Sequence, residues 1–187
     1  EMCIRDRYNA YGVQGIYSAP GKAVKEAYDS AGVVANDRGI TVWLKGNRVS
    51  RNQIMAIKEE SVTDQKNSLT VCLDNILRHA GITRNTEYDL AQGKTAIQIL
   101  EENMTGVQVL DLSGCSLDAV LYYVNQDIPV LAILEDGEAV LVTGFNEFNV
   151  VIMEPSTGKL YKKGMNDATA WFAENGNHFI TYMRIEN

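Results

Sequence analysis

The sequence DGEAVLVTGFNEFNVVIMEP, residues 136–155, contains two short apolar runs separated by four turn-forming residues. The runs Val140–Phe145 and Val150–Met153 are rich in β-branched residues and are too short for helices. Asn146–Asn149, which lies between them, has the composition of a tight turn. The pattern predicts a β-hairpin in a core sheet.

Helices and further strands are predicted on both sides of this hairpin. Apolar residues at helical spacing predict five helices, opened by Ser18, by Asn67 or Ser68, by Lys94, by Ser116 and by Asn166. Short β-rich runs predict strands at residues 33–35, 40–44, 107–112, 128–134 and 179–185. After residue 60 the helices come early and the antiparallel strands late, which predicts an α+β fold. A small β-α-β-β unit precedes it.

The predicted organisation has four parts. Residues 1–7, EMCIRDR, match the translation of a sequencing-library adapter, so we expect them to be an artefact that replaces the true N-terminus. Residues 8–58 form the small α+β unit, residues 59–67 a polar linker, and residues 68–187 the main domain. We expect the linker charges to face solvent.

The composition excludes several classes of protein. Hydrophobic residues make up 45% and charged residues 22%, which is typical of a globular domain. The net charge of -7 and the absence of a Lys/Arg cluster argue against a nucleic-acid partner. No apolar run is long enough to span a membrane. We expect neither a cofactor nor a metal ion.

Two cysteines remain once Cys3, within the adapter-like residues, is set aside. Cys72 and Cys115 fit neither a metal-binding spacing nor a dense disulfide framework. The simplest interpretation is that each is a small buried apolar residue. A single disulfide between them is the alternative.

The hairpin sequence resembles the segment GHAVVVTGYD…VVVDP of papain-like cysteine peptidases of family 39. This family includes the peptidases that trim double-glycine leaders from bacteriocins. Residues 116–134, SLDAVLYYVNQDIPVLAIL, are similar to the helix and following "PV" strand of the same family, and the resemblance extends over about residues 60 to 185. It implies a papain-like fold and a location outside the cell or on the surface of a bacterium.

The positions that carry the chemistry of the family hold other residues in this chain. In the family, a His at the head of the first hairpin strand is the base and the Asp before Pro orients it; these positions hold Glu138 and Glu154. The nucleophilic Cys lies thirteen residues before the Gly that ends its helix, and counting back from Gly81 places Ser68 there. The oxyanion Gln, six residues earlier, corresponds to Val62.

These replacements remove what a cysteine peptidase needs. A thiolate nucleophile is prepared by an adjacent His, and a Gln donates to the oxyanion that forms during acyl transfer. A Glu in the base position is an anion, which would raise the pKa of a neighbouring thiol instead of lowering it. The resemblance therefore implies a non-catalytic pseudo-peptidase domain of a larger bacterial protein, which binds a peptide or protein segment or serves a structural role.

The sequence leaves two other functions open. In the first, the chain is an active cysteine peptidase or amidase with Cys72 as nucleophile and Gln65, seven residues earlier, near the oxyanion position. In the second, Glu138 and Glu154 act as paired carboxylates or bind a cation.

Any Cys-His catalysis must use one of the two histidines of the chain. His79 follows Cys72 by seven residues on one predicted helix, a separation of roughly 10 Å along the axis, which is too far for a hydrogen bond. His178 opens the final predicted strand, where pairing with Cys72 or Cys115 stays open.

Overall fold

The computed structural model describes residues 6–9, 12–45 and 56–186. Cys3 and the rest of residues 1–5, together with residues 46–55 of the first predicted unit, lie outside the described residues. The described chain forms two antiparallel sheets and six helices. The helices are α1 (Pro20–Asp29), α2 (Ser68–His79), α3 (Glu87–Ala91), α4 (Ala96–Asn103), α5 (Leu117–Asn125) and α6 (Met165–Glu174).

The two sheets differ in size. The smaller one has the order β2-β1-β3-β4 and consists of β1 (Asp6–Asn9), β2 (Gly12–Gly15), β3 (Val33–Ala35) and β4 (Thr41–Leu44). The larger one has the order β5-β10-β6-β7-β8-β9. Its strands are β5 (Val107–Asp111), β6 (Val130–Ile133), β7 (Ala139–Phe145), β8 (Asn149–Glu154), β9 (Lys159–Gly164) and β10 (His178–Arg184).

The predicted hairpin is confirmed as β7 and β8, two interior strands of the larger sheet. Every residue of β7 is buried, as its continuous apolar run requires. The Oδ1 atom of Asn146 accepts hydrogen bonds from the backbone N–H groups of Phe148 and Asn149, at 2.9 and 2.8 Å, and so closes the turn. An Asp-Gly turn before β7 joins it to β6, with Gly137 at a φ of 85°.

The five predicted helices are present, but three of them begin at other residues. The N-cap of α1 is Ala19 and not Ser18, since Pro20 with its fixed φ starts the helix. The N-cap of α4 is Thr95, which forms a capping box with Gln98. The N-cap of α6 is Gly164 and not Asn166, because β9 runs directly into this helix.

Two elements of the main domain were absent from the sequence-based prediction. The helix α3 has only five residues, so it is too short to show a helical periodicity. The strand β9, KLYKKG, carries three lysines and forms an edge of the larger sheet. Lysines are typical of edge strands because they oppose pairing with another chain, but they weaken the apolar signal of a strand.

One hydrophobic core includes residues of both predicted units. Trp43 of β4 is 2% exposed and its indole N–H donates to the carbonyl of Ala119 in α5, at 3.0 Å. The hydroxyl of Tyr123, also in α5, donates to the carbonyl of Val42 at 2.8 Å. The smaller sheet is thus fastened to α5, although the boundaries at residues 58 and 68 stay a prediction.

Candidate functional site

Three of the four positions that the sequence resemblance assigns to catalytic residues line one pocket. Val62 lies in the segment before α2, Ser68 is the first residue of α2, and Glu138 directly precedes β7; all three line a pocket of about 580 Å³. Glu154, the last residue of β8, is not among the lining residues. The others are Thr63, Asp64, Gln65, Lys66, Asn67, Thr70, Glu87, Leu90, Ala91 and Ser156.

Ser68 is held in place by a hydrogen bond to the strand that carries Glu138. The side chain of Asn67 caps α2 by accepting from the N–H of Thr70 at 2.8 Å, so the hydroxyl of Ser68 is not needed as a cap. Instead, Ser68 Oγ accepts from the backbone N–H of Ala139 at 2.9 Å. Ser68 is only 2% exposed. This bond joins the start of α2 to the start of β7 at the floor of the pocket.

The carboxylate of Glu138 is incompletely paired. Its backbone is fixed, because its N–H donates to Asp136 Oδ1 at 3.0 Å and its carbonyl accepts from the N–H of Leu134 at 2.8 Å. Its Oε2 atom, in contrast, is buried and has no hydrogen-bond partner among the residues that the structure describes. A buried carboxylate oxygen without a donor is costly, so the residue has unused capacity to accept hydrogen bonds.

Glu154 connects β8 to the turn and strand that follow. One carboxylate oxygen accepts from the hydroxyl of Thr157 at 2.8 Å, and the other lies 3.4 Å from the hydroxyl of Tyr161 in β9. Burial, and next the charge of Glu154, raise the pKa of Tyr161 to about 12. These contacts hold the carboxylate of Glu154 against the turn after β8 and against β9.

Cys72, the alternative nucleophile, does not line the pocket. It lies on the inner face of α2, is fully buried and is not in a disulfide. Burial, and next the negative charge of Glu138, raise the pKa of its thiol well above the usual value. Burial likewise raises the pKa of Cys115 to about 12; its Sγ contacts the carbonyl of Gly21 at 3.2 Å. Neither thiol has the surroundings that stabilise a thiolate.

Neither histidine is placed to act as a base beside Ser68. His79 is the last residue of α2, whereas Ser68 is the first, and its Nε2 atom lies 2.9 Å from the carbonyl oxygen of Asp127. His178 is exposed at the start of β10, where it is opposite Ile133, which in turn is opposite Ala139. Directly opposed residues share one face of a sheet and neighbours along a strand alternate, so Glu138 and His178 point to opposite faces.

The segment before α2, predicted to be a linker, is fastened on both sides. On the sheet side, the N–H of Val62 donates to the carbonyl of Pro155 at 3.0 Å, and the N–H of Leu160 donates to Glu59 Oε1 at 3.0 Å. On the helix side, Lys66 pairs at 2.7 Å with Asp74, a buried residue of α2. The hydrogen bond to Asp74 raises the pKa of Lys66. Sequence periodicity carried no signal for these contacts.

The geometry also bears on a metal ion at Glu138 and Glu154. Among the described residues, no group of three or more His, Cys, Asp or Glu side chains could hold a metal ion. Calcium takes six to eight oxygen ligands, and magnesium requires near-ideal octahedral coordination. Two carboxylates with different partners do not supply such a set.

Comparisons with known proteins bear on the fold. The structure is similar to that of a candidate C39-like peptidase from Bacillus anthracis, with a TM-score of 0.58 and 15% sequence identity. The match covers 76% of this chain and 100% of the other. No family model and no curated protein matches the chain. The likeness shows an α+β papain-like fold, which the sequence predicted.

The helices give no sign of a membrane span. Within residues 6–9, 12–45 and 56–186, no helix combines the length and the apolar character that crossing a bilayer requires.

Proposed function

We propose that this chain is a non-catalytic papain-like domain that binds a peptide segment in the pocket lined by Val62, Ser68 and Glu138. One observation carries the proposal: the residue at the nucleophile position is a buried serine whose Oγ atom accepts from the backbone N–H of Ala139. That hydroxyl has a structural task, and no histidine lies beside it to remove its proton.

The pocket supports a binding role. Its volume of about 580 Å³ is within the range of ligand-binding clefts. It contains apolar walls, at Val62 and Leu90, and several polar side chains. Papain-like peptidases hold an extended peptide next to the nucleophile, so loss of the reactive groups would leave a peptide-binding cleft without chemistry.

The surroundings of Cys72 argue against the alternative of an active cysteine peptidase. Its thiol is fully buried, its pKa is raised, and Glu138 at the base position is an anion that disfavours the thiolate. A nucleophilic cysteine needs the opposite environment, which is partly exposed and electropositive.

The test combines binding and hydrolysis of the same peptides. The ¹⁵N-labelled chain is titrated with a pool of capped pentapeptides of known sequence and followed by NMR, and the mass of each recovered peptide is then measured by mass spectrometry. We expect changes in backbone amide chemical shifts only at the residues lining the pocket, and we expect the peptides to be recovered intact. Hydrolysis that disappears in Cys72→Ala or Ser68→Ala would refute the non-catalytic reading, and absence of any shift would refute peptide binding.

A further inference from the structure

The ionisable groups that line the pocket leave it acidic. Besides Glu138, the lining contains Asp64 and Glu87, and Lys66 is the one cation that the described residues contribute to it. Lys66 is already neutralised, since its ammonium lies 2.7 Å from Asp74, which is 1% exposed, and 3.8 Å from Glu60. The remaining charge of the lining is therefore negative, and a cationic ligand group would be favoured there.

Glu138 is the strongest acceptor for such a group. Glu138 lines the pocket, and its Oε2 atom is shielded from solvent and has no partner among the described residues, so turning this carboxylate toward a donor brought by a ligand would remove the cost of leaving the oxygen unpaired. Hydrogen bonds between two charged groups are shorter and stronger than those between neutral ones. The guanidinium of an arginine is the donor that best matches a carboxylate, because it presents two parallel N–H groups.

The same pocket offers apolar contacts for an aliphatic stem. Val62 is 39% exposed, a large fraction for an apolar side chain, and it lines the pocket together with Leu90 and Ala91. Arginine and lysine combine an aliphatic stem with a charged head, and they bury the stem against apolar surface while the head stays with polar partners. A purely apolar side chain would leave Glu138 unpaired.

From this combination we infer that the pocket takes the basic side chain of an extended peptide, with arginine preferred. The stem packs against Val62 and Leu90, and the guanidinium donates to the carboxylate of Glu138. This inference rests on the proposed function, because it names the chemical class of the peptide that the cleft binds.

The test compares two peptides that differ only in charge. The capped pentapeptide Ala-Ala-Arg-Ala-Ala and its twin with citrulline, a neutral isostere of arginine, are titrated by calorimetry into the wild-type chain. A charge-assisted hydrogen bond predicts that the arginine peptide binds about tenfold more tightly, or better. Glu138→Gln should abolish this preference, whereas Glu147→Gln, in the exposed turn between β7 and β8, should leave it unchanged.

The outcomes distinguish a failure of this inference from a failure of the proposed function. If both peptides bind equally, the basic side chain is not recognised, yet peptide binding stands. If neither binds, both proposals fall. If folded Glu138→Gln keeps the preference, the cation lies elsewhere and the inference is overturned. If Glu138→Gln fails to fold, Glu87→Gln is measured instead. This variant removes one negative charge from the pocket, so it should weaken binding of the arginine peptide and leave binding of the citrulline peptide unchanged.

Discussion

Replacing Ser68 by alanine should destabilise the fold, because the serine hydroxyl satisfies a buried backbone donor. Ala139 is 1% exposed, and its N–H donates to Ser68 Oγ at 2.9 Å. Leaving a buried donor without its partner costs about 1 to 3 kcal/mol. For a chain of this length, each kcal/mol corresponds to about 2 to 4 °C, so the melting temperature should fall by about 2 to 12 °C.

The assay is equilibrium unfolding in urea, followed by tryptophan fluorescence and interpreted with an unchanged m-value. Ser156→Ala is the matched control, since Ser156 lines the same pocket but is exposed, and its loss should cost less than about 0.5 kcal/mol. Ser68→Cys, which places a thiol at this position, should have an intermediate effect because a thiol is a weaker acceptor. A Ser68→Ala variant as stable as the control would refute the structural role of this hydroxyl.

Further predictions concern Cys72, the ion pair between Lys66 and Asp74, and metal binding. Cys72 should resist iodoacetamide at pH 8 in the folded chain and react in denaturant, because burial raises the pKa of its thiol; rapid native labelling, mapped by mass spectrometry, would favour the active-peptidase alternative. The difference in the free energy of unfolding between the wild type and Lys66→Met should be constant below about pH 10.4 and shrink above it. The hydrogen bond to Asp74 raises the pKa of Lys66 in the folded state, so the ion pair stops stabilising the fold as the amine deprotonates. A difference that stays unchanged at higher pH in urea titrations would contradict this ion pair. Millimolar calcium or magnesium should leave the melting temperature unchanged, and an increase that Glu138→Gln or Glu154→Gln abolishes would point to a cation site.

The sequence predicted most of the fold because the decisive signals are local. The β-branched runs of the hairpin and the apolar face of α2 report burial directly, and both elements lie where the pattern placed them. Signals failed where an element is short or exposed. The five residues of α3 cannot show a period, and the lysines of β9 obscure an edge strand whose pairing with β8 depends on contacts distant in sequence.

The candidate site was predictable only as a set of positions. Counting along the resemblance selected Val62, Ser68 and Glu138, which line one pocket, but it also selected Glu154, whose carboxylate accepts from the hydroxyl of Thr157 in the turn after β8. Three-dimensional packing determines the hydrogen bond between Ser68 and β7 and leaves one oxygen of Glu138 without a partner among the described residues. No spacing or periodicity in the sequence encodes such contacts.

The fastened segment before α2 affects how a ligand would bind. Glu59 and Val62 form hydrogen bonds with the β8–β9 region, and Lys66 forms an ion pair with α2. One wall of the pocket is therefore ordered by contacts on two sides before a ligand binds. A wall that is already ordered spares a ligand most of the conformational entropy that ordering a loose loop would cost. A short peptide with few contacts would therefore bind more tightly here than in a flexible cleft of equal size.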